Sequence, residues 1–178
     1  MRRCHRDFTL NSVYDQAAVT AMARALRKTV RKKHSSRSHV FGWIVTALAL
    51  MLSFLPGEDG FSITFKTVAT WLVVLVIVVT LLFEDAINGY FARQRALPGT
   101  VQTKTTFASD GYYSVNDAGE TLWSYKNVQT VAETGDYLVF VLNKNHAQVY
   151  DMRTISGGTE AEFRAFLMEG TGKPVQHV

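Results

Sequence analysis

The chain has 178 residues, 47% hydrophobic and 19% charged, which leaves room for one modest soluble core beside any membrane segment. Its formal net charge is +4, but the charge is segregated: residues 1–39 contain 10 Lys+Arg against 2 Asp+Glu, whereas residues 98–178 contain 6 against 9. A single cysteine, Cys4, excludes an intrachain disulfide and a thiolate metal cluster.

Residues 1–37 are predicted to form a short strand, RDFTLN, followed by a basic amphipathic helix. Ser12 followed by Asp15 is typical of a helix start, and no Gly or Pro interrupts the chain up to about His34. Apolar residues recur at helical spacing at Val19, Met22, Leu26 and Val30.

The cations of this segment indicate a membrane-surface contact. The predicted set is Arg24, Arg27, Lys28, Arg31, Lys32, Lys33 and Arg37. Each cation near anionic headgroups contributes about 1 kcal/mol. A nucleic acid or a calmodulin-like partner would attract the same charges, but the adjacent apolar run favours anionic lipid, and no nucleic-acid partner is expected.

Residues 38–97 are predicted to form a transmembrane helical hairpin with spans at about 39–56 and 64–84. Residues 40–55 and 67–83 carry no charge, and Trp43 and Trp71 are typical interfacial aromatics. Glu84 and Asp85 would be unfavourable at a helix C-terminus, so the second helix is expected to continue to about Leu97. The two carboxylates are expected to pair with Arg37, Arg93 or headgroups.

The distribution of cations predicts the topology. Lys and Arg precede the first span, Arg93 and Arg95 follow the second, and the connecting turn contains Glu58 and Asp59. Positively charged residues are retained on the cytoplasmic side of a membrane. The chain is therefore expected in the inner membrane with both termini in the cytoplasm. Nearly forty residues precede the first apolar run, which argues against a cleaved signal peptide.

Small residues line one face of the first span at spacings of four, three and four. They are Gly42, Thr46, Ala49 and Ser53. Such a face packs closely against another helix in lipid. Its predicted partner is the second span, and the alternative is the same face of a second copy in a homo-oligomer.

Residues 98–178 are predicted to form about six short antiparallel strands and one C-terminal helix. Alternating β-branched and aromatic runs are separated by turn residues such as Asp110 and Gly111. Thr159 and Glu162 predict a capping box, and Gly170 predicts the helix end. The expected fold class is an α+β membrane protein: a two-helix transmembrane hairpin attached to a small antiparallel PH-like sheet or partial barrel capped by this helix.

No set of residues in this domain indicates catalysis, a metal site or a cofactor. His146 and His177 are far apart, and neither a nucleophile motif nor a glycine-rich phosphate loop is present. Three aromatic residues form a candidate partner surface, although aromatics at strand spacing are more often core: Tyr112, Trp123 and Tyr137.

The sequence resembles the YcxB-like family of bacterial membrane proteins, and the resemblance rests on a few residues. They are Phe107 with Asp110 and Gly111, Trp123 with Ser124, Val128 and Glu133 before Asp136 and Tyr137, and Phe163 with Leu167. The resemblance covers nearly the whole chain and implies a PH-like cytoplasmic domain without an assigned activity. Where such proteins have a proline-and-basic stretch before the last helix, this chain has Tyr150 to Arg153.

The isolated strand RDFTLN must pair somewhere, because an unpaired edge is costly. We therefore expect Phe8 and Leu10 to add an edge strand to the sheet that begins near Thr100. The hairpin would then be an insertion within one fold.

These patterns predict a membrane-anchored cytoplasmic interaction or scaffold module with an unknown protein partner, and no enzyme. The net charge of residues 98–178 is −3, which argues against headgroup binding by that domain itself. The alternative is a membrane sensor or immunity-type protein that recognises an intramembrane partner through its hairpin.

Overall fold

The structure, a computed structural model, describes residues 7–55, 63–96 and 99–178. Cys4, the predicted turn with Glu58 and Asp59, and the predicted helix end at Leu97 and Pro98 lie outside them. The helices are α1 (Gln16–Lys28), α2 (Lys32–Ser53), α3 (Phe65–Leu82), α4 (Glu84–Gln94) and α5 (Glu160–Thr171). The strands are β1 (Phe8–Val13), β2 (Gln102–Phe107), β3 (Tyr112–Asn116), β4 (Gly119–Trp123), β5 (Thr130–Thr134), β6 (Tyr137–Val141), β7 (Ala147–Asp151) and β8 (Val175–His177).

The first sheet combines β1, which precedes helices α1 to α4 in the chain, with three strands that follow these helices. Its order is β1-β2-β3-β4, and β1 pairs antiparallel with β2 along its whole length, from Phe8 opposite Phe107 to Val13 opposite Gln102. The prediction that Phe8 and Leu10 add an edge strand is confirmed. The chain between these strands, with all of α1 to α4, is therefore an insertion between paired neighbours.

The second sheet has the order β7-β6-β5-β8. Strands β5, β6 and β7 form the predicted antiparallel meander, whereas β8 pairs in parallel with β5. Strand β8 was not predicted from the sequence, because a three-residue strand has no detectable alternation. The observed class is α+β with two sheets in place of the expected single curved sheet.

An aromatic core fills one half of the space between the sheets. Phe107 contacts Tyr150, Phe140 and Phe163 at ring-centroid distances of 5.1, 5.9 and 5.0 Å, all edge-on. Edge-to-face pairs are favourable beyond the area that they bury. Leu167 of α5 is fully buried in the same core, so α5 closes this end of the two sheets.

Helix α5 begins as predicted and ends one residue later than predicted. The Thr159 hydroxyl accepts from the Glu162 N–H, and the Glu162 carboxylate accepts from the Thr159 N–H, so the capping box is confirmed. The predicted stop at Gly170 is wrong, because the helix continues to Thr171 and Gly172 adopts the left-handed conformation with φ 64°. Glycine adopts that conformation without a steric cost.

Helix α1 is capped by Asp15 and not by Ser12. The Asp15 carboxylate accepts from the Ala18 N–H at 2.8 Å, while Ser12 is buried in β1 and accepts from the Asp151 N–H at 3.2 Å. The predicted single helix to about His34 is also wrong. Helix α1 ends at Lys28, Thr29 closes it, and α2 begins at Lys32 after a short turn.

Helices α2 and α3 form an antiparallel pair, but only α3 is long and apolar enough by itself to cross a membrane within the described residues. The first two turns of α2 lie in the basic segment, which shortens its chargeless part. The predicted continuous helix from the second span to about Leu97 is wrong. Helix α3 ends at Leu82, and α4 begins at Glu84, so Glu84 and Asp85 lie at a helix N-terminus, where carboxylates are favourable.

Candidate functional site

The apolar face of α1 packs on the outer face of the second sheet. Ala18, Ala25 and Leu26 form a cluster with Val139 and Val149, separate from the aromatic core. This contact covers the stripe that a lipid-facing helix would insert between headgroups. The stripe was predicted from the sequence, but the surface that covers it was not, because a sheet surface and a lipid surface favour the same helix pattern.

Two of the predicted membrane-surface cations pair with α4 instead. The Arg27 guanidinium donates to both oxygens of Asp85 at 2.6 Å, and Arg24 lies 3.5 Å from the same carboxylate. These contacts raise the pKa of Arg27, chiefly through its hydrogen bonds to Asp85. A bidentate pair of this kind is geometrically specific, so α1 and α4 are held in one orientation.

A glycine allows the same two helices to approach closely. A Cβ atom at Gly89 would lie 3.0 Å from the backbone nitrogen of Thr20 and 3.1 Å from its Cα. Gln16 adds a hydrogen bond from its amide nitrogen to the Ala86 carbonyl at 3.1 Å. Helix α4 is therefore packed directly on α1, which itself lies on the second sheet.

Glu84 bonds to α2 rather than to the residues expected from the sequence. Its carboxylate lies 2.5 Å from the His39 imidazole and accepts from the Ser35 hydroxyl at 3.4 Å. The expectation that Glu84 and Asp85 pair with Arg37 or Arg93 is wrong. Both carboxylates connect α4 to the helices on the other side of the hairpin.

The other predicted cations lie at the end of α1, in the turn that follows it and in the first two turns of α2. Arg31 donates to the Lys144 carbonyl at 2.7 Å and to the Asn145 side chain at 3.2 Å. The remaining four are exposed and form no hydrogen bond or ion pair with another side chain of the described chain: Lys28, Lys32, Lys33 and Arg37.

The small-residue face of α2 lies against α3 of the same chain. A Cβ at Gly42 would meet the Leu81 side chain at 2.9 Å, and Thr46 is buried. The Trp71 indole N–H donates to the Ser53 hydroxyl at 3.1 Å. Ala49 is half-buried on the same face. The structure thus brings these residues to α3, the helix that was predicted as the second span and as their partner.

The predicted aromatic partner surface is wrong for Tyr112. Its side chain is fully buried and stacks between Phe107 and Trp123, at centroid distances of 5.5 and 6.4 Å. Trp123 is half-buried against the same core, and half-buried Tyr137 packs beside the α1 cluster with Arg153 5.8 Å above its ring. The three aromatics therefore do not form one exposed surface.

An open cleft of about 560 Å³ lies between the first sheet, the β7 edge of the second sheet and helices α1 and α4. Its sheet wall carries hydroxyl groups where the opposite end carries aromatic rings, namely Ser12, Thr103, Thr105, Ser114 and Thr121. Gln148 also lines the cleft, and its amide oxygen accepts from Tyr112 at 2.8 Å and Tyr150 at 2.7 Å. Burial raises the pKa of both tyrosines, so both hydroxyls stay protonated as donors.

A second exposed feature is β4, which pairs only with β3 among the described strands. Leu122 of β4 is 80% exposed, and its cross-strand neighbour Tyr113 is 44% exposed. An exposed sheet edge offers unpaired backbone groups to an incoming strand. Sequence alternation could have identified Leu122 as outward-facing, but not that its strand lies at an edge.

The described residues contain no group of three or more His, Cys, Asp or Glu that could hold a metal ion. No protein-family model and no curated protein matches the chain.

Proposed function

We propose that the chain is a membrane-anchored cytoplasmic interaction module without catalytic activity, in which α2 and α3 cross the inner membrane as a hairpin and β4 recruits a partner protein. The carrying observation is the free β4 edge with its exposed Leu122. The resemblance to the YcxB-like family and its PH-like domain agrees with this proposal.

The surface of the hairpin supports membrane insertion. Outward-facing residues of α2 and α3 are large and apolar, and more than half of the surface of several is exposed: Val40, Phe41, Ile44, Leu52, Leu72, Val73 and Val76. A surface of this size needs lipid or protein to cover it. Positive charge at the start of α2 and after α3 supports a cytoplasmic location for both termini.

The free edge supports recruitment by strand addition. An extended partner segment would donate and accept backbone hydrogen bonds along β4, and an apolar side chain of that segment would cover Leu122 and Tyr113. The hydrogen bonds would supply affinity and the apolar contact would supply selectivity. The partner is therefore expected to present a β-prone segment with an apolar residue at its centre.

A photo-crosslinking amino acid placed at single positions of the full chain in native membranes tests the proposal. We expect a discrete protein adduct from position 122 that Tyr113→Glu abolishes, and none from Met168, an exposed control on α5. Absence of an adduct at 122, or an adduct that Tyr113→Glu leaves unchanged, would overturn it. The full chain is required, since residues 98–178 alone lack β1, which covers part of the core.

One observation favours the alternative, a membrane sensor. The hairpin is inserted between the paired strands β1 and β2, and α4 is bonded to α1, so a movement of α2 against α3 would reach the sheets directly. In the same crosslinking experiment this alternative predicts an adduct from Val76, an exposed residue in the middle of α3, and none from position 122.

A further inference from the structure

The turn between α1 and α2 and the β6–β7 loop together form a pocket with a volume of about 690 Å³, which we call the basic pocket. It is lined by Thr29, Val30, Arg31, Lys32, Lys33, His34, Lys144 and Asn145. Four of these residues are Lys or Arg and none is Asp or Glu. The pocket therefore attracts anions, even though the domain that contributes Lys144 is acidic overall.

Arg31 builds the pocket by fixing the loop. Its guanidinium holds the Lys144 carbonyl and the Asn145 side chain, and Asn143 accepts from the N–H groups of Asn145 and His146 at 2.8 and 2.9 Å. The backbone around Lys144 is thus held on both sides. A lysine that follows α1 by more than a hundred residues is placed beside Lys32 and Lys33.

The three lysines of the pocket are available to a ligand. Lys32, Lys33 and Lys144 form no ion pair with any described residue, in contrast to Arg24 and Arg27, whose charges Asp85 and Glu84 balance. No acidic residue lies in the first turn of α2, and no side chain caps it. The partial positive charge of the helix N-terminus adds to that of the lysines.

The pocket lies at the level of lipid headgroups once α2 is placed in a bilayer. Lys33 precedes Val40, the first residue of the chargeless run, by seven residues, or about 10 Å of helix. The interfacial layer of a bilayer is roughly 5–8 Å thick on each side, and a lysine side chain spans the difference. The exposed Val40, Phe41 and Ile44 continue from the pocket as a surface for acyl chains.

We infer that the basic pocket binds the phosphate of an anionic phospholipid, with Lys144 as a ligand supplied by the sheet domain. The inference rests on the membrane anchoring of the proposed function. A bound lipid would join the β6–β7 loop to the base of the hairpin, so lipid composition would set how firmly the sheet domain is held at the membrane.

Quenching of Trp43 by brominated lipids tests this inference. Trp43 is exposed on α2, three residues after Val40, and is the only tryptophan left in the Trp71→Phe, Trp123→Phe background of the full chain. In phosphatidylcholine nanodiscs, brominated phosphatidylglycerol should quench Trp43 at a lower mole fraction than brominated phosphatidylcholine. Loss of one cation, Lys144→Gln, should reduce this preference roughly fivefold, while the Arg31 bond to the backbone carbonyl remains.

The matched control is Lys126→Gln, which removes an exposed lysine outside the pocket. Equal losses for the two variants, or no preference for phosphatidylglycerol in the parent, would overturn the inference. Inorganic phosphate should displace the lipid no better than chloride at equal ionic strength; specific displacement would show a site for free phosphate instead. Absence of quenching by brominated phosphatidylcholine would instead contradict membrane insertion itself, so the two failures are distinguishable.

Discussion

The arginines of α1 and the lysines at the start of α2 come from one basic segment, yet their partners differ. Arg24 and Arg27 face α4 and are balanced by Asp85, whereas Lys32 and Lys33 face outward beside Lys144. The first group stabilises the fold, and the second is available to an anionic ligand, which under our proposal is the membrane. Net charge per segment therefore overestimates the cations that a membrane can reach.

The largest expected effect comes from the apolar face of α1. Leu26→Ala should lower the free energy of unfolding by about 3 kcal/mol, because a buried leucine is replaced by a cavity against the sheet. Urea unfolding of the full chain in neutral detergent, followed by circular dichroism, measures it. Leu52→Ala, the same change at an exposed position of α2, should have little effect; equal losses would mean that α1 does not rest on the sheet.

The substitution Asp85→Asn tests whether the arginines of α1, unlike the lysines, stabilise the fold. It leaves the half-buried Arg27 with only the more distant Glu84 carboxylate, 3.8 Å away, and should cost about 2 kcal/mol in the same assay, less than a fully buried pair because Arg27 is partly exposed. Asp117→Asn in the exposed β3–β4 turn is the matched control. A loss of unfolding free energy no larger than that of the control would contradict a structural role for the arginines.

Gly89→Ala should cost about 1–2 kcal/mol, because the added methyl group meets the Thr20 backbone, which cannot rotate away. Gly170→Ala in α5 meets only the Tyr125 ring at 3.2 Å and gains the same helix propensity. The two variants are compared by thermal unfolding in detergent. Equal stability would argue against close packing of α4 on α1.

The smallest effect on stability should come from the lysines. Replacing both Lys32 and Lys33 with Gln should change the free energy of unfolding by less than about 0.5 kcal/mol, because neither side chain has a partner within the described chain. Urea unfolding in neutral detergent measures it. A loss above about 1 kcal/mol would show that these lysines belong to the structural group.

Much of the architecture could be predicted from local patterns. Alternation and turn residues located β2 to β7, the Thr159 and Glu162 pair located the start of α5, and the cost of an unpaired edge predicted where β1 would pair. The two helix breaks were missed. Neither Thr29 nor Phe83 is a helix breaker, so these breaks depend on how the flanking helices pack.

The candidate sites were less predictable. The basic segment and the small-residue face of α2 were visible as sequence patterns, but the role of Lys144 was not. In the sequence Lys144 is a single lysine in a polar turn, and only the bond from Arg31 to that turn connects it with the basic segment. Leu122 and Tyr112 alternate along neighbouring strands with similar patterns, yet one is exposed and the other is fully buried. Which face of a sheet is covered depends on elements that are distant in the chain.

The sequence by itself determined where apolar and charged residues cluster, and hence the identity of most strands, the apolar hairpin and the cationic segment, because hydrophobic period and turn chemistry act over a few residues. The tertiary structure alone decided which cations are neutralised, which helix face is covered and which lysine reaches the base of the hairpin. Ion pairing and burial depend on distances of a few ångströms between residues far apart in the chain, and local patterns carry no information about those distances.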